Sequence, residues 1–459
     1  MPKQEDLRIV QGGLGFEEPI PSHVNSPTWI VDNTWDKVKE VAQASLDAYM
    51  EYCKTHKLPH SYLLGLDILI TGVASPDGKS VVDIRPTLLE GPCCNSYPAC
   101  PNFFSSRLFK RLQKTKKANL DALIEYPVHP LKILDKIVEA FQSAWTAKGN
   151  SGKPTIGVFT RPYPESEEEI AHVLALEAFK RHGFKAFRIT PKEQPFVKNG
   201  KIWVGNTPID MCYRRIERIH VPMFYGWELA MQIINETPKT IWINDWKLDA
   251  MRSKTIEEKA FREWESKTGK IVSRPKTLLG SEINPKNVSK LLETGGYALK
   301  RWDSTGGKGV FLHAYLPQIK KIYDNLYLRY DGRHMVLIKK NELNKYLNGF
   351  KNFKENTAIQ QMRMIDARDI GKNNRLVYDT RINALYNEGK KKWDFISGIS
   401  RSVPCGPKVK SGNSLLTNVS SGAEISPLIM GYTKGKKSKL MKFGPLLTAM
   451  LDGKTVWKL

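Results

Sequence analysis

The sequence predicts an α/β protein with more than one folding unit, and three observations carry that prediction. At 459 residues the chain is longer than a single hydrophobic core usually supports. Residues 154–190 read strand, helix, strand, the β-α-β order of a parallel sheet. Near the N-terminus a helical apolar stripe runs straight into segments whose apolar residues alternate with period two. The composition, 41% hydrophobic and 26% charged, is that of a globular chain.

Taken in order, residues 34–53 place Val38, Val41, Ala42, Ser45, Leu46, Tyr49 and Cys53 on one stripe at helical spacing. Asn33 or Thr34 can cap this helix, and Pro59 lies beyond its end. LLGLDILITG, the turn SPDGK and SVVDIRP then form a two-stranded unit carrying Asp67 and Asp83. On their own these are surface carboxylates of a hairpin. Residues 118–153 read as a helix followed by the linker AKGNSGKP. TIGVF, SEEEIAHVLALEAFKRHG and FKAFRIT make the β-α-β unit, and IDMCYRRIERI and KTIWIND extend its sheet to about residue 245. No GxGxxG fingerprint is present, so dinucleotide binding is not supported. From 246 onward the order is helix, strand, glycine loop and further strands, without internal repeats.

Lysine and arginine number 71 against 47 acidic residues, a net charge of +24 whose field favours encounters with anions. The basic runs, such as 107–117 and 434–442, are dispersed and read as solvated surface. Aromatic residues are not interleaved with these runs as in an RNA-recognition motif, and there is no zinc finger or basic helix. Specific nucleic-acid binding is therefore not expected. No apolar run is long enough for a bilayer and the opening lacks a signal-peptide core, so the expected setting is the cytoplasm, without a membrane. Six irregularly spaced cysteines agree with a reducing compartment. Cys93, Cys94 and Cys100 lack a CxxC pair or nearby histidine and fit small buried or loop residues better than zinc ligands. The loop that holds them could recognise substrate or merely cap the sheet.

Chemistry concentrates in the C-terminal half. YALKRWDSTGGKGV, 297–310, is a strand ending near Lys300 followed by a glycine loop. Its glycines permit positive φ and close backbone approach, which suits phosphate but also an ordinary turn; the Walker A spacing is absent. TAIQQMRMI can offer backbone hydrogen bonds to an adenine edge. YDTRINALYN sets Asp379 and Arg381 on one face of a strand, WDFISGISRSV adds Arg401, and LLTNVSSGAEISP adds Asn418, Ser420, Ser421 and Gly422. Recurrent cationic, amide and hydroxyl groups at strand ends suit anions and a metal rather than a core.

In this order the motifs resemble the ATP-grasp superfamily, with its lysine strand, glycine-rich loop, hinge strand, D-x-R strand and N-x-S-x-G turn. The family's next parts, a helix and two acidic strands, have counterparts at the other end of the chain in helix 34–53, GLD at 65–67 and VVDIRPTLLEG at 81–91. The chain is thus similar to a circularly permuted ATP-grasp protein, an arrangement of glutathionylspermidine-synthetase-like and related carboxylate-amine ligases. Termini that lie close together make such a permutation physically tolerable. The resemblance covers roughly 30–95 and 240–430. It implies an N-terminal segment, 1–117, completing the metal-binding subdomain; a helix and linker, 118–153; an inserted pre-ATP-grasp α/β domain, 154–245; and a nucleotide-binding region, 246–459.

Carried over residue by residue, the resemblance implies that Lys254, Lys300, the lid loop Ser304, Thr305, Gly306, Gly307 and Gly309, and the hinge residues Gln361 and Met362 bind ATP. It makes Arg381, Arg401 and Asn418 catalytic and Asp67 and Asp83 ligands of magnesium. One departure is Arg85, where the family has asparagine; it cannot ligate a cation, so Asp379, Glu90 or Asn95 substitutes or one magnesium is lost. The implied reaction is ATP-dependent joining of a small-molecule or peptide carboxylate to an amine through an acyl phosphate, with ATP and Mg2+ as cofactors. The alternatives are a phosphotransferase of the same fold, like the inositol-phosphate kinases, and a nucleotide-binding protein without catalysis. A homodimer stays open.

Overall fold

The computed structural model describes residues 28–74, 81–93, 133–160, 167–293, 297–301, 310–313, 326–330, 335–348, 357–361, 368–369, 375–405 and 424–431. The turn SPDGK, the segment 94–132, the glycine loop from 302 to 309 and the basic run 434–442 lie outside them.

The chain opens with β1 (Thr28–Val31) and α1 (Asp32–Thr55), then β2 (Leu63–Ala74) and β3 (Val81–Cys93). α1 begins at Asp32, so Asn33 and Thr34 lie in its first turn rather than before it. α2 (Ile133–Ala147) is followed by β4 (Ile156–Phe159), α3 (Glu167–Arg181), β5 (Ala186–Ile189), β6 (Phe196–Lys198), β7 (Lys201–Val204), β8 (Thr207–Pro208) and β9 (Met211–Arg214). α4 (Val221–Tyr225), α5 (Trp227–Asn235), β10 (Ile241–Ile243) and α6 (Lys254–Thr268) come next. The C-terminal half holds β11 (Thr277–Leu279), α7 (Val288–Glu293), β12 (Tyr297–Arg301), β13 (Val310–His313), β14 (Leu326–Tyr330), β15 (Met335–Lys339), α8 (Lys340–Asn348) and β16 (Thr357–Gln361). It closes with β17 (Arg368–Asp369), β18 (Arg375–Asn387), β19 (Lys392–Cys405) and β20 (Glu424–Gly431).

These strands build a mixed α/β protein with several sheets. The largest runs β1-β20-β19-β18-β2-β3, with β17 on β18, so strands from the N-terminal end flank those from the C-terminal end in one sheet. Its register sets Arg381 of β18 opposite Asp67 of β2. A second sheet, β11-β16-β12-β13-β14-β15, is antiparallel throughout. The third, β10-β9-β4-β5, is parallel, as the β-α-β pattern requires. A small meander, β6-β7-β8, follows it.

Period-two alternation gives the large sheet two chemically different faces. Leu64, Leu66, Ile68, Ile382 and Ala384 meet α1, whose Val38, Ala42, Leu46 and Tyr49 form the predicted stripe and are fully or almost fully buried. On the opposite face Leu63 and Leu385 pack under Phe141 of α2. That cluster continues into Ile156, Val158 and Tyr213 of the parallel sheet, so α2 is shared between two sheets. Further along the same face stand Asp67 and Arg381.

One side chain ties the parallel sheet to β2. Asn244, just after β10 and 1% exposed, accepts at Oδ1 from the Tyr62 and Leu63 amides at 2.8 and 3.2 Å. Its Nδ2 donates to the Leu63 carbonyl at 2.6 Å. Arg214, wholly buried, then clamps the following segment. Its Nε donates to the Asn244 carbonyl at 2.7 Å, and its guanidinium forks onto Asp249 at 2.6 and 3.0 Å. This segment leads directly to Lys254.

Candidate functional site

Asp67 and Arg381 are 314 residues apart in sequence and form a bidentate pair. Arg381 Nε donates to Oδ1 at 2.6 Å and Nη2 to Oδ2 at 2.7 Å. The Asp67 side chain is 5% exposed, so the fork holds a charge that burial alone would penalise.

Lys254 reaches the same place from another direction. Ser253 caps α6 by accepting from the Thr255 amide, which fixes Lys254 in the first helical turn. Its ammonium donates to the Leu89 carbonyl of β3 at 3.0 Å and to both Glu257 oxygens at 2.9 and 3.1 Å. Burial opposes the charge, but Glu257, Glu90 and Asp67 outweigh it and raise the pKa above that of an ordinary lysine. Gly91 makes room for this arrangement: a Cβ there would stand 2.6 Å from Glu257 Cδ.

Lys300, on β12 of the second sheet, completes the cluster. Burial and then the neighbouring Lys254 ammonium lower its pKa to about 8, against the opposing pull of Glu90, Glu257 and Asp67. Two lysines from different elements thus stand close enough to repel. Such an arrangement is relieved by a polyanion, and polyphosphate fits it.

The other predicted site residues divide into three groups. Ser304, Thr305, Gly306, Gly307, Gly309, Met362 and Asn418 lie outside the described residues; the loop 302–309 connects β12 and β13, which are adjacent antiparallel strands. Gln361 ends β16 opposite Tyr297, three residues from Ala358, the partner of Lys300. Arg401 stands opposite Asp379, two positions along β18 from Arg381.

Asp83 does not join Asp67. It pairs with Val73, whereas Asp67 pairs with Glu90. Six residues of strand separate Asp67 from Val73, roughly 20 Å at a rise of about 3.3 Å per residue. The carboxylate in register with Asp67 is Glu90, and Asp83 stands farther along the hairpin. The hairpin register, invisible in the motif spacing, sets this. No group of three or more His, Cys, Asp or Glu side chains among the described residues is placed to hold a metal ion. One or two carboxylates suffice for magnesium when phosphate oxygens and water fill the rest, so Asp67 with Glu90 fits that chemistry.

Two site residues had no part in the sequence expectation. Glu257 carries a usable signal, lying three residues after Lys254 on a strongly helical segment. Asn244 carries none, because its partners are some 180 residues away in sequence. Among the described residues no helix is long and apolar enough to cross a membrane.

No protein-family model matches the chain, and no curated protein matches it. Among solved structures it is similar to the apo form of a glutathione synthetase-like effector from Globodera pallida, at 12% identity over 88% of this chain and 89% of that one, with a TM-score of 0.48. It is also similar to a protein of Methylobacillus flagellatus KT provisionally named gamma-glutamylcysteine synthetase, at 10% identity over 94% of this chain and 97% of that one, with a TM-score of 0.40. Neither fold nor activity follows from likeness at this level; the functional reading rests on the residues of the site.

Proposed function

We propose that the chain binds ATP at Lys254 and Lys300 and uses it to join a carboxylate to an amine, in a circularly permuted ATP-grasp arrangement with an inserted α/β unit. The observation that carries this reading is the meeting of both lysines with the Asp67–Arg381 fork in one electrostatic cluster. The permuted order is supported by the strand sequence β18-β2-β3, in which the first acidic strand lies against the D-x-R strand.

Bound with magnesium, ATP supplies the phosphoryl group that activates a carboxylate. Lys254 and Lys300 hold the phosphates and offset their charge. Arg381, oriented by Asp67, keeps a cation fixed where negative charge develops on the reacting carboxyl group, with no reorganisation at the moment of reaction. Asp67 and Glu90 supply the anionic side for the cation.

Product formation from a pool of carboxylates and amines tests the reading. ADP and free phosphate should appear together only when both substrate classes are present. ADP without free phosphate would indicate phosphoryl transfer to an acceptor, and binding without turnover a nucleotide sensor. Failure of ATP to bind at all would overturn every form of the proposal.

A further inference from the structure

The meander β6-β7-β8 presents a solvent face that only its register assembles. Asn199 and Gly200 both adopt positive φ, 52° and 77°, the turn that closes a two-residue hairpin. This pairs Lys198 with Lys201 and Phe196 with Trp203, while Pro208 stands on the far side of Trp203. Alternation sends Ile202, fully buried, with Val197 and Val204 into the core of the parallel-sheet unit. The outer face is then an aromatic row beside a lysine row.

The rings are ordered. Phe196 and Trp203 stack with centroids 6.3 Å apart and an interplanar angle of 21°, and Phe196 remains 41% exposed. The Trp203 indole N–H donates to the Lys198 carbonyl at 3.0 Å, and the Lys198 ammonium lies 5.6 Å from the Trp203 ring centre. Lys239 packs against the turn at Gly200, and Lys185 lies at the β8 edge, donating to Thr207 at 3.1 Å. Asp210 is engaged by Lys201 at 2.6 Å.

We propose that this face binds single-stranded nucleic acid independently of sequence. Its chemistry selects a partner that is anionic and also offers flat rings. An apolar peptide would leave the lysines uncompensated, and a polyanion without rings would leave the aromatic pair unused. A duplex keeps its bases stacked on one another, whereas a single strand frees them for Phe196 and Trp203. The net charge of +24 supplies the complementary long-range field. Sequence-independent binding leaves the expectation of no specific recognition intact.

Fluorescence anisotropy of the full chain with a labelled short thymidylate oligomer, competed with inorganic polyphosphate of similar charge, tests the proposal without ATP. Trp203→Ala and Phe196→Ser should each weaken oligomer binding roughly tenfold and leave polyphosphate binding unchanged. Lys198→Glu should weaken both and make the logarithmic salt slope shallower by about 0.7 for each phosphate that is no longer neutralised. Phe196 is exposed, so its variant should keep the wild-type melting temperature and carries the test if Trp203→Ala perturbs the hairpin. Absence of oligomer binding at roughly physiological salt, or binding insensitive to both aromatic substitutions, would overturn the proposal.

Discussion

Lys300 is where the charge balance of the site is most exposed to experiment. If its ammonium contacts phosphate, Lys300→Ala should weaken ATP binding roughly ten- to a hundredfold, for a charge-assisted hydrogen bond of about 1.5 to 3 kcal/mol. Isothermal calorimetry reads this directly. Because its folded pKa is lowered to about 8, ATP affinity should fall as pH rises through that value, and binding near it should take up a proton. The stability linkage has the opposite direction: between about 8 and the unfolded value near 10.4 the unfolded chain binds more protons, so the Lys300 contribution to stability increases with pH across that window. Lys300→Met should abolish that rise in melting experiments. Gly91 offers a second residue-level test. Gly91→Ala pushes its Cβ into Glu257 and should cost about 1 to 3 kcal/mol, a penalty that largely disappears in a Glu257→Ala background.

Among the elements, β2 is held at its start by Asn244 and along one face by α1. Asn244→Ala would strip partners from the Tyr62 and Leu63 amides and the Leu63 carbonyl, all buried, and should destabilise the chain by about 2 to 4 kcal/mol in denaturant unfolding. Leu66→Ala, on the face toward α1, should cost about 2 to 5 kcal/mol through reduced burial and an incompletely collapsed cavity. The two differ in readout: Asn244→Ala also loosens the start of the strand that carries Asp67, so loss of turnover should exceed loss of stability. α6 links the same two regions, with Phe261 and Trp264 in the α1 core and Lys254 at its capped end.

For the whole molecule, the N-terminal strands β1, β2 and β3 are members of a sheet otherwise made by β17, β18, β19 and β20. Deleting residues 1–93 removes α1, β2 and β3, exposes Ile382 and Ala384, and leaves β18 with an unpaired edge. A chain beginning at residue 133 should therefore show no cooperative thermal transition and should aggregate. Co-expression with residues 1–93 as a separate fragment should restore part of the soluble protein, since the two pieces meet through a continuous core.

Elements whose patterns are local can be read from the chain's residues alone. The α1 stripe, the alternating hairpin of β2 and β3 and the β-α-β unit are all legible because period 3.6 or 2 is imposed by the face that each element buries. Lys254, Lys300, Asp67 and Arg381 were also legible as residue types in an ordered set of motifs. What the sequence could not determine is which of them meet. Asp67 faces Arg381 and Glu90, with Asp83 farther along the hairpin, because hairpin register slides in whole residues, each about 3.3 Å, without altering the motif spacing. Asn244 and the paired rings of Phe196 and Trp203 likewise acquire their partners only when separate strands are laid side by side. Periodicity records how an element meets its core; the neighbours across a sheet are chosen by tertiary packing.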